Sequence, residues 1–501
     1  MARPSSDSGA RAPAPPFREV RASRLAHETG TLYRQADLAF ALCYPSPYHV
    51  GMSSLGFQSI YRGLHALAGC TAERAFLPDD VAETHRLSED LCTYESGRPV
   101  GDFPVIAFSL ASELELAGVV TCLDLAGIPA LHAERAAHPR TFPLIVVGGP
   151  LTFSNPVPVG PFADVIVMGE AEELLPILVK SLRDQPDRES LLHDLARRPG
   201  FYLPSAHGET PPPIAVADDN CLPAYSQIIT PHTELAGMFL IEATRGCSRG
   251  CAYCVMRRSA GQGMRPVSPE RLLSLIPVEA RRVGLVGAAV TDHPALPEIL
   301  RSLVDAGREV GVSSLRADRL DDELVGLLAR GGYRTLTTAA DGASQRLRDQ
   351  VARHTRVEDL LRAARLCRDH GMALLKLYVL IGLPGETTAD IDELARLALD
   401  LAALAPKLSL TVSPFVSKRN TPLDHQPLED IASLDEKVEF LRRQLRGRVR
   451  LSGDAPKWAW VEHRLAQGGF AEGLAAAQAA RAGGGFAAWK RALEGTSGSG
   501  P

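Results

Sequence analysis

The chain is poor in the features that would send it into a membrane or out of the cell. Among its 501 residues no run of about 18 apolar residues occurs, so a transmembrane helix is not supported. Residues 1–16, rich in Ser, Pro, Ala and Arg, lack the apolar core of a secretory signal. A net charge of −5 gives no global attraction for nucleic acid or for an anionic membrane surface. Nine cysteines are too few for a disulfide scaffold of this length, and they imply reduced thiols and a cytoplasmic protein. A hydrophobic content of 45% is ordinary for globular domains, and the length allows two or three separate cores.

Against that background three cysteines stand close together. Cys247, Cys251 and Cys254 have CxxxCxxC spacing and follow an apolar run, Met238 to Thr244. Chance placement of such a triplet is expected about 0.003 times in a chain with this cysteine content. Structural zinc takes four ligands, often as two separated pairs, and no second pair lies nearby; Cys221 and Cys367 are distant. Three thiolates on a four-iron cluster leave one iron open to a small chelating ligand, where an electron-transfer ferredoxin supplies a fourth thiolate.

The rest of the chain alternates short apolar strands with amphipathic helices, the pattern of parallel α/β sheets. Residues 36–184 read as a doubly wound parallel sheet, with strands at 38–43, 105–108, 144–147 and 165–168. Two of these strands end at Gly149 and Gly169, where backbone can approach a ligand at the carboxyl edge of such a sheet. Residues 185–236, with Pro211-Pro212-Pro213, read as a linker. Alternation resumes over 237–429, with strands predicted at 238–244, 283–289, 309–314, 334–339, 374–381 and 408–414. Ser268-Pro269-Glu270 gives an N-cap, a first-turn proline and a first-turn acid to the helix after the cysteine loop. Six units are too few for a closed eight-stranded barrel. Residues 430–494 read as a helical extension. Its run of Arg442, Arg443, Arg446, Arg448 and Arg450 is interpreted as a solvated helix face, since no aromatic platform for nucleic acid interleaves it. The segments 1–35 and 495–501 are expected to be disordered.

The cysteine loop, with Tyr253 just before its last thiol, resembles the signature of radical S-adenosylmethionine (SAM) enzymes. Further segments resemble a radical SAM group with an N-terminal cobalamin-binding-like domain. They are Tyr44-Pro45-Ser46-Pro47-Tyr48-His49-Val50-Gly51-Met52, Ala107-Phe108-Ser109-Leu110, Val147-Gly148-Gly149-Pro150, Met168-Gly169-Glu170-Ala171-Glu172 and Phe415-Val416-Ser417-Lys418. The resemblance covers about residues 36–490. It implies a six-unit β/α partial barrel behind a Rossmann-like domain, and a [4Fe–4S] cluster on Cys247, Cys251 and Cys254. It also implies SAM on the open iron, a 5′-deoxyadenosyl radical acting on an unassigned substrate, and a one-electron reductant such as flavodoxin or ferredoxin.

By the same resemblance SAM lies along the strand ends. Gly287 belongs to the stretch that meets the methionine amine, although the family's acid is missing there. Ser313 and Arg316 face the ribose, and Asp341 replaces a family glutamate. Arg348 pairs with the SAM carboxylate, and Gly382 and Gly385 lie beside the adenine. Cobalamin is left open as a second cofactor, because the chain has no Asp-x-His-x-x-Gly motif to ligate cobalt. A cobalamin-dependent methyltransferase and a non-catalytic iron–sulfur or corrinoid sensor are the alternatives carried forward. A methylthiotransferase is set lower, because Cys43, Cys70, Cys92 and Cys122 lack that family's spacing and the C-terminus reads as helical.

Overall fold

The computed structural model describes residues 16–256, 263–313 and 315–496. It contains two α/β units, each built on parallel strands that β-branched and leucine side chains bury on both faces.

The first unit is a six-stranded sheet. Its strands are β1 (Leu38–Tyr44), β2 (Cys70–Phe76), β3 (Val105–Ser109), β4 (Leu144–Gly148), β5 (Val165–Val167) and β6 (Phe201–Tyr202), in the order β2-β1-β3-β4-β5-β6. All pairings are parallel except β5 with β6. Helix Leu55–Ala66 covers one face, capped by Ser54 Oγ accepting from the Phe57 amide, and helix Leu116–Leu125 covers the other.

Two expectations change here. Residues 185–202 are part of this unit, because helix Arg188–Leu195 and β6 complete it. Residues 16–35 are ordered: helix Phe17–Ala26 places Arg24 on Tyr94 and Asp79, and Arg34 donates to the Cys70 carbonyl. Residues 1–15 and 497–501 lie outside the described residues, and Gly495 and Thr496 close the helix Phe486–Thr496.

The second unit carries β7 (Met238–Glu242), the short β8 (Thr244–Arg245) and β9 (Arg265–Pro266), β10 (Arg282–Val286), β11 (Glu309–Val312), β12 (Thr335–Ala339), β13 (Leu374–Ile381), β14 (Leu408–Pro414) and β15 (Arg450–Gly453). They form a parallel sheet β11-β10-β7, a parallel sheet β12-β13-β14-β15 and an antiparallel pair β8-β9. Both parallel sheets share one apolar core with the helices that alternate with them. The six expected units are therefore present in chain order, split into two half-sheets. Ser268 caps helix Pro269–Ser274 as its sequence implies, its Oγ accepting from the Arg271 amide. β15 is an addition, since the arginine run leaves helix Ile431–Gln444 and enters a strand at Arg450.

The C-terminal helices Pro456–Gln467, Phe470–Arg481 and Phe486–Thr496 turn away from the barrel and pack on the first unit. Val461, Leu465, Ala476, Trp489 and Leu493 join its core. Asn155 Nδ2 donates to the carbonyls of Leu465, Ala466 and Gly468, which closes the end of the first of these helices.

Candidate active site

The cysteine loop is fixed from several sides. Gly246, at φ +76°, makes the turn from β8 into the loop, a conformation that glycine adopts without strain. The Ala252 amide donates to the Val351 carbonyl at 2.9 Å, and the Ala252 carbonyl accepts from Leu423 at 3.3 Å. Arg249, inside the loop, makes a two-point contact with Asp292 at 2.8 and 2.7 Å. That aspartate, which also holds Arg319, lies in the turn after β10. Burial opposes ionisation of Asp292, but Arg249 and its neighbours outweigh it and hold the carboxyl below the usual range.

Cys247, Cys251 and Cys254 open onto one cavity of about 220 Å³. Its wall also includes Arg249, Tyr253, Ser313, Arg316, Thr338 and Arg353. All three thiols are free. Burial pushes the Cys254 thiol up, and the two neighbouring cysteines add to the effect; a bound cation reverses this by stabilising the thiolate. The Arg249 amide points at Cys247 Sγ at 3.4 Å, a contact that would tune the sulfur of a bound cluster. Among the described residues no three His, Cys, Asp or Glu side chains converge tightly enough to hold a single ion. Three thiols on one wall, with no fourth cysteine beside them among the described residues, leave one iron of a four-iron cluster open. The donor set fits a [4Fe–4S] cluster.

The structure redistributes the other expected site residues. Tyr253, Ser313 and Arg316 are on the wall. The Ser313 hydroxyl, however, is occupied with the Gly287 backbone, accepting from its amide at 3.1 Å and donating to its carbonyl at 3.0 Å. Gly287 itself is required by packing, because a Cβ there would lie 2.4 Å from Thr244 Oγ1; Ala288 and Ala289 reach the cavity instead.

Asp341 sits behind the wall at φ +57°, a left-handed conformation that aspartate tolerates better than most residues. It accepts from Tyr253 OH at 2.7 Å and pairs with Arg353 Nε at 2.9 Å. Burial works against the Arg353 charge, but Asp341, Tyr253 and Cys251 outweigh it and keep the guanidinium firmly protonated. Burial and Asp341 together push the Tyr253 phenol up, so it stays a donor.

Arg348 does not reach the cavity. It is completely buried and donates to the carbonyls of Thr355 and Gly342 and to Gln345 Oε1, so it braces the loop beyond its own short helix. Of the three arginines on the wall, Arg249 and Arg316 pair with Asp292 and Asp318, and the third is Arg353. It follows helix Gln345–Gln350, where Ala352 and His354 both adopt positive φ and turn the chain inward.

Gly382 and Gly385 also stand off the wall. The Gly382 amide donates to Glu386, and a Cβ there would press on Leu434. Gly149 and Gly169 do permit close approach, but to the chain itself. A Cβ at Gly149 would lie 2.5 Å from the Leu110 carbonyl, and one at Gly169 2.3 Å from that of Ala215.

Sequence reasoning also missed what Glu170 does. Buried after Gly169, it accepts from Arg265 Nη2 at 2.7 Å and Arg245 Nη1 at 3.2 Å. It thereby ties the first sheet to the β8-β9 pair that leads into the cysteine loop. On the opposite side Lys418 reaches Glu113 at 2.7 Å and Glu462 at 2.6 Å. That contact joins the end of β14 to the first unit and to the C-terminal helices. The carboxyl edge of the first sheet is thus fastened to the barrel at two points.

Comparison with known proteins agrees with this architecture. The family described as radical SAM proteins, N-terminal, matches residues 56–204, and the radical SAM superfamily matches residues 241–398. An uncharacterised protein of Methanocaldococcus jannaschii is 28% identical over 415 residues, covering 81% of this chain and 83% of the relative. A ribosomal protein uS12 methylthiotransferase of Desulfosudis oleivorans is 29% identical over 180 residues, 33% of this chain and 40% of that one. Among solved structures, the radical SAM methyltransferase TsrM of Kitasatospora setae, with cobalamin and a [4Fe–4S] cluster bound, matches with TM-score 0.53. The identity is 16%, over 77% of this chain and 73% of that one. The cobalamin-dependent enzyme OxsB matches with TM-score 0.50 and 15% identity, over 82% of this chain and 55% of that one. At these identities the likeness to solved structures is one of fold.

Proposed function

We propose that the chain is a radical SAM enzyme that uses a [4Fe–4S] cluster and SAM, a reading supported by its matches to the two radical SAM family models. The observation that carries the reading is the convergence of Cys247, Cys251 and Cys254 on one cavity whose wall also holds a protonated arginine. When bound, the cluster supplies the electron that cleaves SAM into methionine and a 5′-deoxyadenosyl radical, which acts on a substrate not yet assigned.

Everything else falls to the protein. Arg353, aimed by Asp341, takes the SAM carboxylate, a task for which a planar guanidinium is suited. Tyr253, its hydroxyl committed to Asp341, presents a fixed ring face. Ser248 and Gly250 keep the loop at the surface, where an external one-electron donor of the flavodoxin or ferredoxin type has access. Uniformly free thiols fit a cytoplasmic setting. No helix among the described residues is long and apolar enough to cross a membrane. The first unit, fastened through Glu170 and Lys418, excludes water from the barrel mouth.

The test is anaerobic incubation of the reconstituted protein with SAM and dithionite, followed by chromatography for 5′-deoxyadenosine. Formation of 5′-deoxyadenosine dependent on reductant and cluster is expected, and its absence from cluster-loaded protein would favour the sensor alternative. The cobalamin-dependent methyltransferase is favoured by the likeness of fold to TsrM and OxsB. The chain lacks an Asp-x-His-x-x-Gly motif to ligate cobalt, which counts against it. Incubation with hydroxocobalamin and desalting should leave the protein without corrinoid absorbance; a retained corrinoid spectrum would reverse that choice.

A further inference from the structure

The half-sheet β12-β13-β14-β15 has two unlike faces. Along β13, Leu375, Leu377, Val379 and Ile381 are buried in the core shared with the helices. By the two-residue period of a strand, Lys376 and Tyr378 point the other way, into the barrel. Parallel register sets their neighbours on the same face. Thr337, Lys376, Ser409 and Arg450 make one row, and Ala339, Tyr378, Thr411 and Ser452 make the next, nearer the cluster. Thr337, Ala339 and Tyr378 are already on the wall of the cysteine cavity. This face is therefore the floor of the same space.

The floor is polar but not neutral. Carboxylates around the cavity are committed: Asp292 to Arg249 and Arg319, Asp318 to Arg316, Asp341 to Arg353 and Glu242 to Arg245. Lys376 has no hydrogen bond or ion pair with any described residue. Its Nζ lies 4.8 Å from the centre of the Tyr378 ring. That ring is 37% exposed although it sits on an inner strand, so the space above it is open. A half-buried ammonium whose nearest partner is a ring face is poorly compensated.

We infer that the substrate carries an anionic group, carboxylate or phosphate, which Lys376 receives while an adjoining flat or apolar part lies against Tyr378. The proposal rests on the radical SAM reading of this cavity and adds the chemistry of the second ligand. The Thr337 hydroxyl, beside Lys376 in its row, and the Thr411 hydroxyl, beside Tyr378 in the next, complete the hydrogen bonding of such a group.

Phenyl phosphate, with benzylamine as its charge-reversed counterpart, probes the site. Isothermal titration is carried out on cluster-loaded protein saturated with SAM. Wild type should bind phenyl phosphate and not benzylamine. Lys376→Met and Lys376→Gln should each weaken phenyl phosphate tenfold or more, and Lys376→Arg should restore most of the affinity. Iron content and SAM affinity, measured on the same variants, should match wild type. Equal phenyl phosphate affinity in wild type and in both neutral variants, no binding to wild type, or a preference for benzylamine would overturn the proposal. Loss of SAM affinity in the neutral variants would reassign Lys376 to the cofactor and overturn it too. Failure of wild type itself to bind SAM would instead strike the reading on which it rests.

Discussion

Replacing Cys247, Cys251 and Cys254 together by alanine should leave a folded protein that retains no iron or sulfide after anaerobic reconstitution. It should form no detectable 5′-deoxyadenosine. The effect is all-or-none because the other six cysteines are elsewhere: Cys43, Cys70, Cys122 and Cys367 are buried in the cores, and neither Cys92 nor Cys221 is on the cavity wall. Folding should survive, since the loop is held by the Ala252 backbone and by Arg249 with Asp292, not by its sulfur atoms. Iron analysis and low-temperature EPR check the result. A cluster of unchanged yield and spectrum in the triple variant would remove these thiols from the site.

The second large effect is expected at Arg353. Its removal takes one of three guanidinium groups from the cavity wall and leaves Asp341 with only the Tyr253 hydroxyl as a side-chain partner. Losing a charge-assisted pair costs about 1.5–3 kcal/mol, so Arg353→Met should weaken SAM roughly ten- to a hundredfold while the cluster still assembles. Arg348→Met should act differently. It strips donors from the buried carbonyls of Thr355 and Gly342, and should lower thermal stability, with SAM affinity per folded molecule little changed. Equilibrium dialysis with labelled SAM and a thermal melt on both variants separate the two roles. A larger loss of SAM affinity at Arg348 than at Arg353 would return the carboxylate to the residue that sequence favours.

The contrast between these arginines shows what was legible and what was not. Both follow the strand that ends at Ala339, within one short helix and its exit. Sequence spacing matches Arg348 to the family position. The inward turn of Arg353 depends on Ala352 and His354 adopting positive φ, which no local propensity announces. Strands β7 and β10 to β14 were readable because their apolar residues form short dense runs between helical patterns.

β2 was not readable. It carries Glu73 and Arg74, and a buried arginine looks exposed until its partners Glu28 and Glu95 arrive from distant segments. β15 was hidden in the same way inside a run of arginines. The glycines at 149 and 169 were correctly placed at strand ends, but what approaches them is the chain itself, a fact of tertiary packing. The cysteine motif and the strand ends were therefore legible in sequence. The identity of the side chains facing the cavity was not.

The central claim is that three thiolates hold a cluster whose open iron is taken by SAM. Electron–nuclear double resonance on the reduced, cluster-loaded protein with SAM labelled by ¹⁷O in its carboxylate tests it most directly. The account predicts a hyperfine coupling from the labelled oxygen to the cluster. A cluster spectrum with no such coupling, under conditions where SAM is bound, would contradict it.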